Sequence, residues 1–214
     1  MRPVPPDRRE RKKQATKHLL AETALHLFSE RGYDEVTVAE VCDVADVALR
    51  TFYRYFPDKE SVVFAEDDLL DDAVRNGLLE ATGLPPMELI RHVAHALADA
   101  FSAIEDLPTR HVLIKSQPAL FERDQRRTSE WEAMIVDQLI GPPASLPLPT
   151  ARLIGGIWRA CWTAAATRYG ETSGRHDPHR LVDETFDLLR EQTASLTPPE
   201  ATTTRPGRRG TRRA

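Results

Sequence analysis

The sequence predicts an all-α protein, with an N-terminal three-helix helix-turn-helix unit followed by a larger helical bundle. Apolar residues recur at i, i+3, i+4 and i+7 through most of the chain, the spacing that lines one face of a helix. No segment alternates apolar and polar residues between turn signals, and nothing repeats at a fixed period. Glycine, proline and N-capping side chains fall between the periodic segments, where helix ends need them.

Residues 1–7 are proline-rich and read as a disordered basic arm. The first helix opens between residues 8 and 11 and runs to 31, with Leu20, Ala24, Leu27 and Phe28 on one face and Gly32 as its stop. Thr37-x-x-Glu40 is a capping box for a second helix of about two turns, along which Val38, Val41, Cys42 and Ala45 repeat. Asp46 closes it, because aspartate tolerates the left-handed backbone of a tight turn. A third helix spans residues 48–56. At about 100° per residue, Phe52 and Phe56 fall side by side with Leu49 near them. Arg50 and Arg54 fall nearly opposite, flanked by Thr51 and Tyr53. This helix is expected to bury Leu49, Phe52 and Phe56. Pro57 breaks it, and Asp58 caps a fourth helix expected over residues 59–80.

Beyond Gly83, Pro85-Pro86 opens a helix carrying Ile90, Val93, Leu97, Phe101 and Ile104. Shorter helices are expected at 109–121 and 126–140, then a loop with four prolines over 141–149. Two strongly apolar helices follow at 150–169 and 178–196. The resulting division is 8–60 for the helix-turn-helix, 61–196 for the bundle and 197–214 for a disordered basic tail rich in Thr, Pro and Arg.

The net charge of −4 conceals an asymmetry: residues 1–17 sum to +5, 197–214 to +4 and 60–196 to −9. Basic ends around an acidic body suit a polyanion binder that presents one face to phosphate, although two solvated tails would give the same sums. No apolar run approaches the ~18 residues of a membrane span. The basic N-terminus lacks the apolar stretch of a secretory signal. Cys42 and Cys161 lie in apolar helical stretches and read as buried free thiols, which suits a cytoplasmic location.

Two short helices joined by a tight turn, the second presenting Arg, Tyr and Thr outward, describe a helix-turn-helix. An ordinary helical hairpin with a wetted polar face has the same geometry. The residues themselves carry the argument further. Leu27-Phe28 and Gly32-Tyr33 stand at the end of the first helix, Thr37-Val38 at the start of the second, and Ala45-Asp46-Val47 at the turn. Together with the run Thr51-Phe52-Tyr53-Arg54-Tyr55-Phe56-Pro57-Asp58-Lys59-Glu60, they resemble the DNA-binding domain of the tetracycline-repressor (TetR) family. The resemblance covers residues 8–60. It implies that Tyr53, Tyr55 and Lys59 hold phosphates, with Lys59 working beside the N-terminus of the fourth helix. It also implies that Leu49, Arg50 and Thr51 face base edges, with Arg54 in support. Thr37 joins this set, and so do Lys13 and Lys17 from a basic stretch that can follow the DNA backbone. The chain departs from the family at Asp46, where glycine is usual, and at Arg50, where a small residue is usual. The second departure alters base readout.

The resemblance further implies a ligand-binding bundle that ends in two dimerising helices. Pro118-Ala119-Leu120 and Glu130-Trp131 are similar to actinobacterial mycofactocin-system regulators, whose effector class is long acyl thioesters. Phe101, Phe121, Trp131, Trp158 and Trp162 are candidates to line an apolar pocket, with His111 and Arg159 for a polar or anionic group. Aromatics at helical spacing serve equally as plain core. Ile154, Ile157, Cys161, Leu181, Val182, Phe186 and Leu189 are the candidate dimer interface, with Gly155-Gly156 leaving room for a partner backbone. The same faces could instead close one subunit's core. His92, His95 and His111 do not make a metal site, because an i, i+3 histidine pair lacks the remaining ligands. No phosphate-cradling loop, nucleophile elbow or paired-cysteine motif is present, so neither cofactor nor enzymatic activity is expected. The expected function is a ligand-responsive repressor. Its partners are double-stranded operator DNA, a second copy of itself and a small apolar or acyl effector, with no membrane.

Overall fold

The computed structural model describes residues 8–195, which form ten α-helices with no strand among them. The arm and tail expected at 1–7 and 197–214 lie outside the described residues.

The N-terminal unit is built from α1 (Arg8–Arg31), α2 (Val38–Val44), α3 (Leu49–Tyr55) and α4 (Lys59–Val63). Gly32 ends α1 at φ 90°, and its N–H returns to the Phe28 carbonyl at 3.0 Å. Leu20, Ala24 and Phe28 of α1 close over Val41 and Cys42 of α2 and over Phe52 and Phe56. Val62, Val63, Phe64 and Ala65 complete this core from the far side of α4.

The second core lies among α5 (Asp67–Glu80), α6 (Pro86–Ser102), α7 (Leu107–Ser116), α8 (Pro118–Ile140), α9 (Leu148–Glu171) and α10 (Pro178–Ser195). The main packings are α5 on α6, α8 on α9, and α10 against both α9 and α6. Leu97, Ile135, Leu139, Trp158 and Leu181 are almost fully enclosed. Leu120 of α8 enters the N-terminal core, with Leu113 and Ile114 of α7 packed beside it. The start of the bundle is therefore packed directly against the helix-turn-helix.

Three element boundaries differ from expectation. The helix expected over 59–80 is interrupted between Val63 and Asp67. Phe64 and Ala65 turn into the N-terminal core there, and buried Arg110 donates from Nη1 to the Val63 carbonyl at 2.8 Å, satisfying an end-of-helix acceptor. The stretches 109–121 and 126–140 are redistributed, with the break at Gln117 and one long helix after it. Proline disfavours helical backbone in the residue before it and suits the first helical turn, so Pro118 sets that boundary. Finally, α9 starts at Leu148, with proline in its first turn, and continues to Glu171.

Candidate nucleic-acid interface

The turn between α2 and α3 is held locally. Asp46 adopts φ 52°, and the Val47 N–H reaches the Cys42 carbonyl at 3.0 Å. At the other end of α2 the capping box is complete. The Glu40 N–H donates to Thr37 Oγ1 at 3.3 Å, and the Thr37 N–H and hydroxyl both donate to Glu40 Oε2 at 2.8 Å. Arg31 Nη2 donates to the other carboxylate oxygen at 2.6 Å. The Thr37 amide bond, with help from Arg31 and the Thr37 hydroxyl, lowers the Glu40 pKa from 4.5 to about 2.

With α2 fixed, α3 buries Phe52 and Phe56 and turns Arg50, Tyr53 and Arg54 to solvent, with Thr51 half-buried between them. Leu49 is not buried as expected. It is 46% exposed at the first position of α3 and is not part of the N-terminal core. It shares this outward end of α3 with exposed Arg50. Arg54 bends along the helix, donating from Nη2 to Tyr55 Oη at 2.9 Å, with its guanidinium carbon 4.8 Å from the Tyr55 ring centre. Arg54 and Tyr55 form one wall of a groove of about 740 Å³, and Arg9, Lys12, Lys13 and Thr16 of α1 form the other. Arg9 and Lys12 belong to the basic stretch expected to follow the DNA backbone. Thr16 was not expected from sequence, and its i+7 spacing from Arg9 was the signal that could have found it.

Three expected DNA contacts are engaged inside the protein. The Thr37 hydroxyl is used by the capping box. Lys17 Nζ lies 3.6 Å from the Asp68 carboxylate of α5. Lys59 was to hold a phosphate, yet its Nζ donates to the carbonyls of Tyr33 and Val36 at 2.5 and 2.8 Å, and lies 4.2 Å from the Tyr33 ring centre. An ammonium offered two backbone acceptors and an aromatic face ties α4 to the connection between α1 and α2.

In the bundle, Phe101, His111, Trp131 and Trp162 come together around a cavity of about 70 Å³, joined by Asp124, Arg127 and Tyr169 among others. The other pocket candidates do not join them. Phe121 faces outward on α8 with Lys115 Nζ 4.9 Å from its ring centre. Trp158 is fully enclosed in the core. Arg159 bonds Glu132 and Gln125 at 3.3 and 3.2 Å along an outer groove of α9. Asp124 and Arg127 were missed, since a charged residue on a polar helix face carries no mark of enclosure in sequence. His92 meets Glu80, His95 stacks on His179 and bonds Asp183, and His111 lines the cavity, so the three histidines have separate surroundings.

The expected dimer face is largely internal. Cys161, Leu181, Val182 and Phe186 are buried in the bundle core, with Ile154, Ile157 and Leu189 packed against it. A Cβ at Gly155 would come within 2.8 Å of Val136 Cγ2, so that glycine admits α8 of the same chain. The outward side of α9 and α10 carries Leu153, 65% exposed, and Leu188, 53% exposed, with exposed Ala160 and Ala164.

Residues 20–65 match the family model described as bacterial regulatory proteins, tetR family. The HTH-type transcriptional repressor KstR of Rhodococcus jostii is 27% identical over 190 residues, covering 83% of each chain. The putative mycofactocin biosynthesis transcriptional regulator MftR of Mycobacterium tuberculosis is 28% identical over 99 residues, 38% of this chain and 50% of that protein. Among the curated relatives matched, the share of their own length that is spanned falls as low as 40% if the shortest match, to the regulator YuxN at 16%, is set aside. The fold matches the crystal structure of the transcriptional regulator FadR from Bacillus subtilis in complex with stearoyl-CoA, with a TM-score of 0.55 at 16% identity over 80% of this chain and 96% of that one. No helix among the described residues is long and apolar enough to cross a membrane. The helix-turn-helix geometry and the matched residues 20–65 give this chain a helix-turn-helix unit of the tetR-family kind, on an all-helical fold shared with the regulator structure above.

Proposed function

We propose that this protein is a repressor that binds a palindromic operator as a homodimer and releases it when a small apolar or acyl effector enters the bundle. The observation that carries the DNA reading is the exposed row Arg50, Tyr53 and Arg54, continuous with the basic groove of Arg9, Lys12 and Lys13 and backed by Phe52 and Phe56 in the core. A rigidly seated helix with arginines outward suits the major groove, and the flanking cations suit phosphates. Tyr55 joins them at the groove. The 8–60 and 61–196 division is proposed on the same grounds, with residues 62–65 serving the first core. The naming of KstR as a repressor supports repression here, and the stearoyl-CoA complex of FadR supports an acyl effector as one class. Action on DNA places the protein in the cytoplasm. The outward faces of α9 and α10, rather than the buried set of Cys161, Leu181, Val182 and Phe186, offer the two-fold surface. Small Ala160 and Ala164, at helical spacing from Leu153 on the outward face of α9, allow close approach of a second copy.

The test is selection of bound sites from random duplex DNA, followed by titration. Arg50→Ala should weaken the selected site by ~1–3 kcal/mol and relax the preference at one position of each half-site. An unchanged motif and affinity would remove Arg50 from base readout.

A further inference from the structure

The cavity between α5, α6, α7, α8 and α9 is about 70 Å³, room for roughly two waters, against the ~300 Å³ or more of pockets that hold drug-sized ligands. A ligand seated there must push its lining apart. Most of the lining is apolar and aromatic: Leu70, Phe101, Trp131, Trp162 and Tyr169. The charged exceptions are Lys115, exposed at the rim, and Asp124 and Arg127 on adjacent turns of α8.

Arg127 has the unusual position. Its side chain is 13% exposed, and it lies 4.8 Å from the Trp131 ring and 5.6 Å from the Phe64 ring. Nη1 donates to Asp67 Oδ1, and Nη2 donates to Asp124 Oδ1 at 3.2 Å. Its Nε–H is enclosed without an acceptor. Asp67 is the first residue of α5, directly after the interruption that separates it from α4. Arg123, one turn earlier, covers the Phe64 ring at 4.6 Å and donates to Ser61 Oγ at 3.2 Å. Arg127 thus lines the cavity, and its guanidinium also holds the joint on which the DNA-reading helices are carried.

We propose that this cavity takes an apolar ligand bearing a carboxylate, which draws Arg127 away from Asp67 and loosens the joint between α4 and α5. The inference rests on the effector reading above and names the chemistry and the route. A carboxylate supplies the acceptor that Nε lacks and competes with Asp67 in kind, as a bidentate partner for a planar guanidinium. An uncharged acceptor would satisfy Nε without displacing a carboxylate. An ammonium would find Asp124 already bonded to Arg127, with Lys115 close enough to act on the same carboxyl. Burial lowers the pKa of His111, which leaves it a neutral wall. Ligand and Asp67 compete for one side chain, so occupancy and the intact joint are linked reciprocally.

The experiment uses the full chain and three ten-carbon probes: decanoate, decan-1-ol and decylamine. Binding is followed without DNA by the fluorescence of Trp131 and Trp162. Decanoate should bind about tenfold tighter than the alcohol and the amine, and Arg127→Gln should abolish that preference while keeping alcohol binding. Asp67→Asn, at a residue outside the cavity lining, should bind decanoate at least as tightly as wild type. Decanoate should then change its DNA affinity several-fold less than it changes that of wild type. Equal binding of the three probes, binding of none, or weaker decanoate binding by Asp67→Asn would overturn the proposal. Absence of DNA binding by the ligand-free protein, with the decanoate preference intact, would instead overturn the regulator reading and leave the carboxylate site standing.

Discussion

Glu40 shows how much a single side chain can organise. It closes the capping box of α2, anchors Arg31 at the end of α1, and so sets the angle at which the helix-turn-helix begins. Its pKa of about 2, against an ordinary 4.5, gives the pH dependence a definite sign. The stabilisation from a depressed carboxyl is complete above its unfolded pKa and disappears as pH falls through the folded one. Thermal unfolding between pH 4.5 and 2 should therefore show a loss of Tm in the wild type that Glu40→Gln lacks in part. Parallel acid limbs for the two proteins would show that the carboxylate's charge adds nothing to the cap. The cap was legible because its two residues are three apart and their roles are local. Arg31 as third partner was not, since its reach to Glu40 depends on how the chain turns after Gly32.

At the scale of elements, the contrast lies between helix ends that the sequence marks and those that it does not. Gly32, Asp46 and Pro118 each impose a backbone preference on the residues beside them, and each coincides with a boundary. Residues 59–80 contain neither proline nor an early glycine, and their interruption comes from outside: Phe64 sinks into the N-terminal core while Arg110 takes the Val63 carbonyl. Lys59 belongs to the same joint. Lys59→Met would keep the stem and remove the donor from the Tyr33 and Val36 carbonyls, lowering stability by about 1–2 kcal/mol. Denaturant unfolding measures this directly. If the variant keeps wild-type stability but loses DNA affinity, with a smaller salt slope, Lys59 works on phosphate instead.

For the whole molecule, the decisive matter is which apolar faces are used inside one chain. Phe186 sits in the bundle core with the Arg91 guanidinium 5.9 Å from its ring, so Phe186→Arg is expected to unfold the bundle rather than yield folded monomers. Substitution on the outward face separates assembly from folding. Ala160→Glu should leave helicity and thermal unfolding of the chain near wild type while shifting sedimentation from dimer to monomer. Operator affinity should then drop by ~100-fold or more, because two linked reading heads gain from effective concentration. A variant that still sediments as a dimer would move the interface off α9.

The all-helical class, the caps, the tight turn and the outward arginines of α3 were determined by the sequence alone. Each depends on residues within a few positions of one another, where backbone sterics and helical periodicity act without reference to the rest of the chain. Only the tertiary structure decided the interruption after Val63, the inward turn of Lys59 and the burial of Leu181, Val182 and Phe186. It also decided that Arg127 meets Asp67. These depend on partners brought from 20 to 60 or more positions away. An apolar stripe states only that it will be covered, and an ammonium or guanidinium only that it will find acceptors. Which neighbour does so is settled when the two cores close against each other.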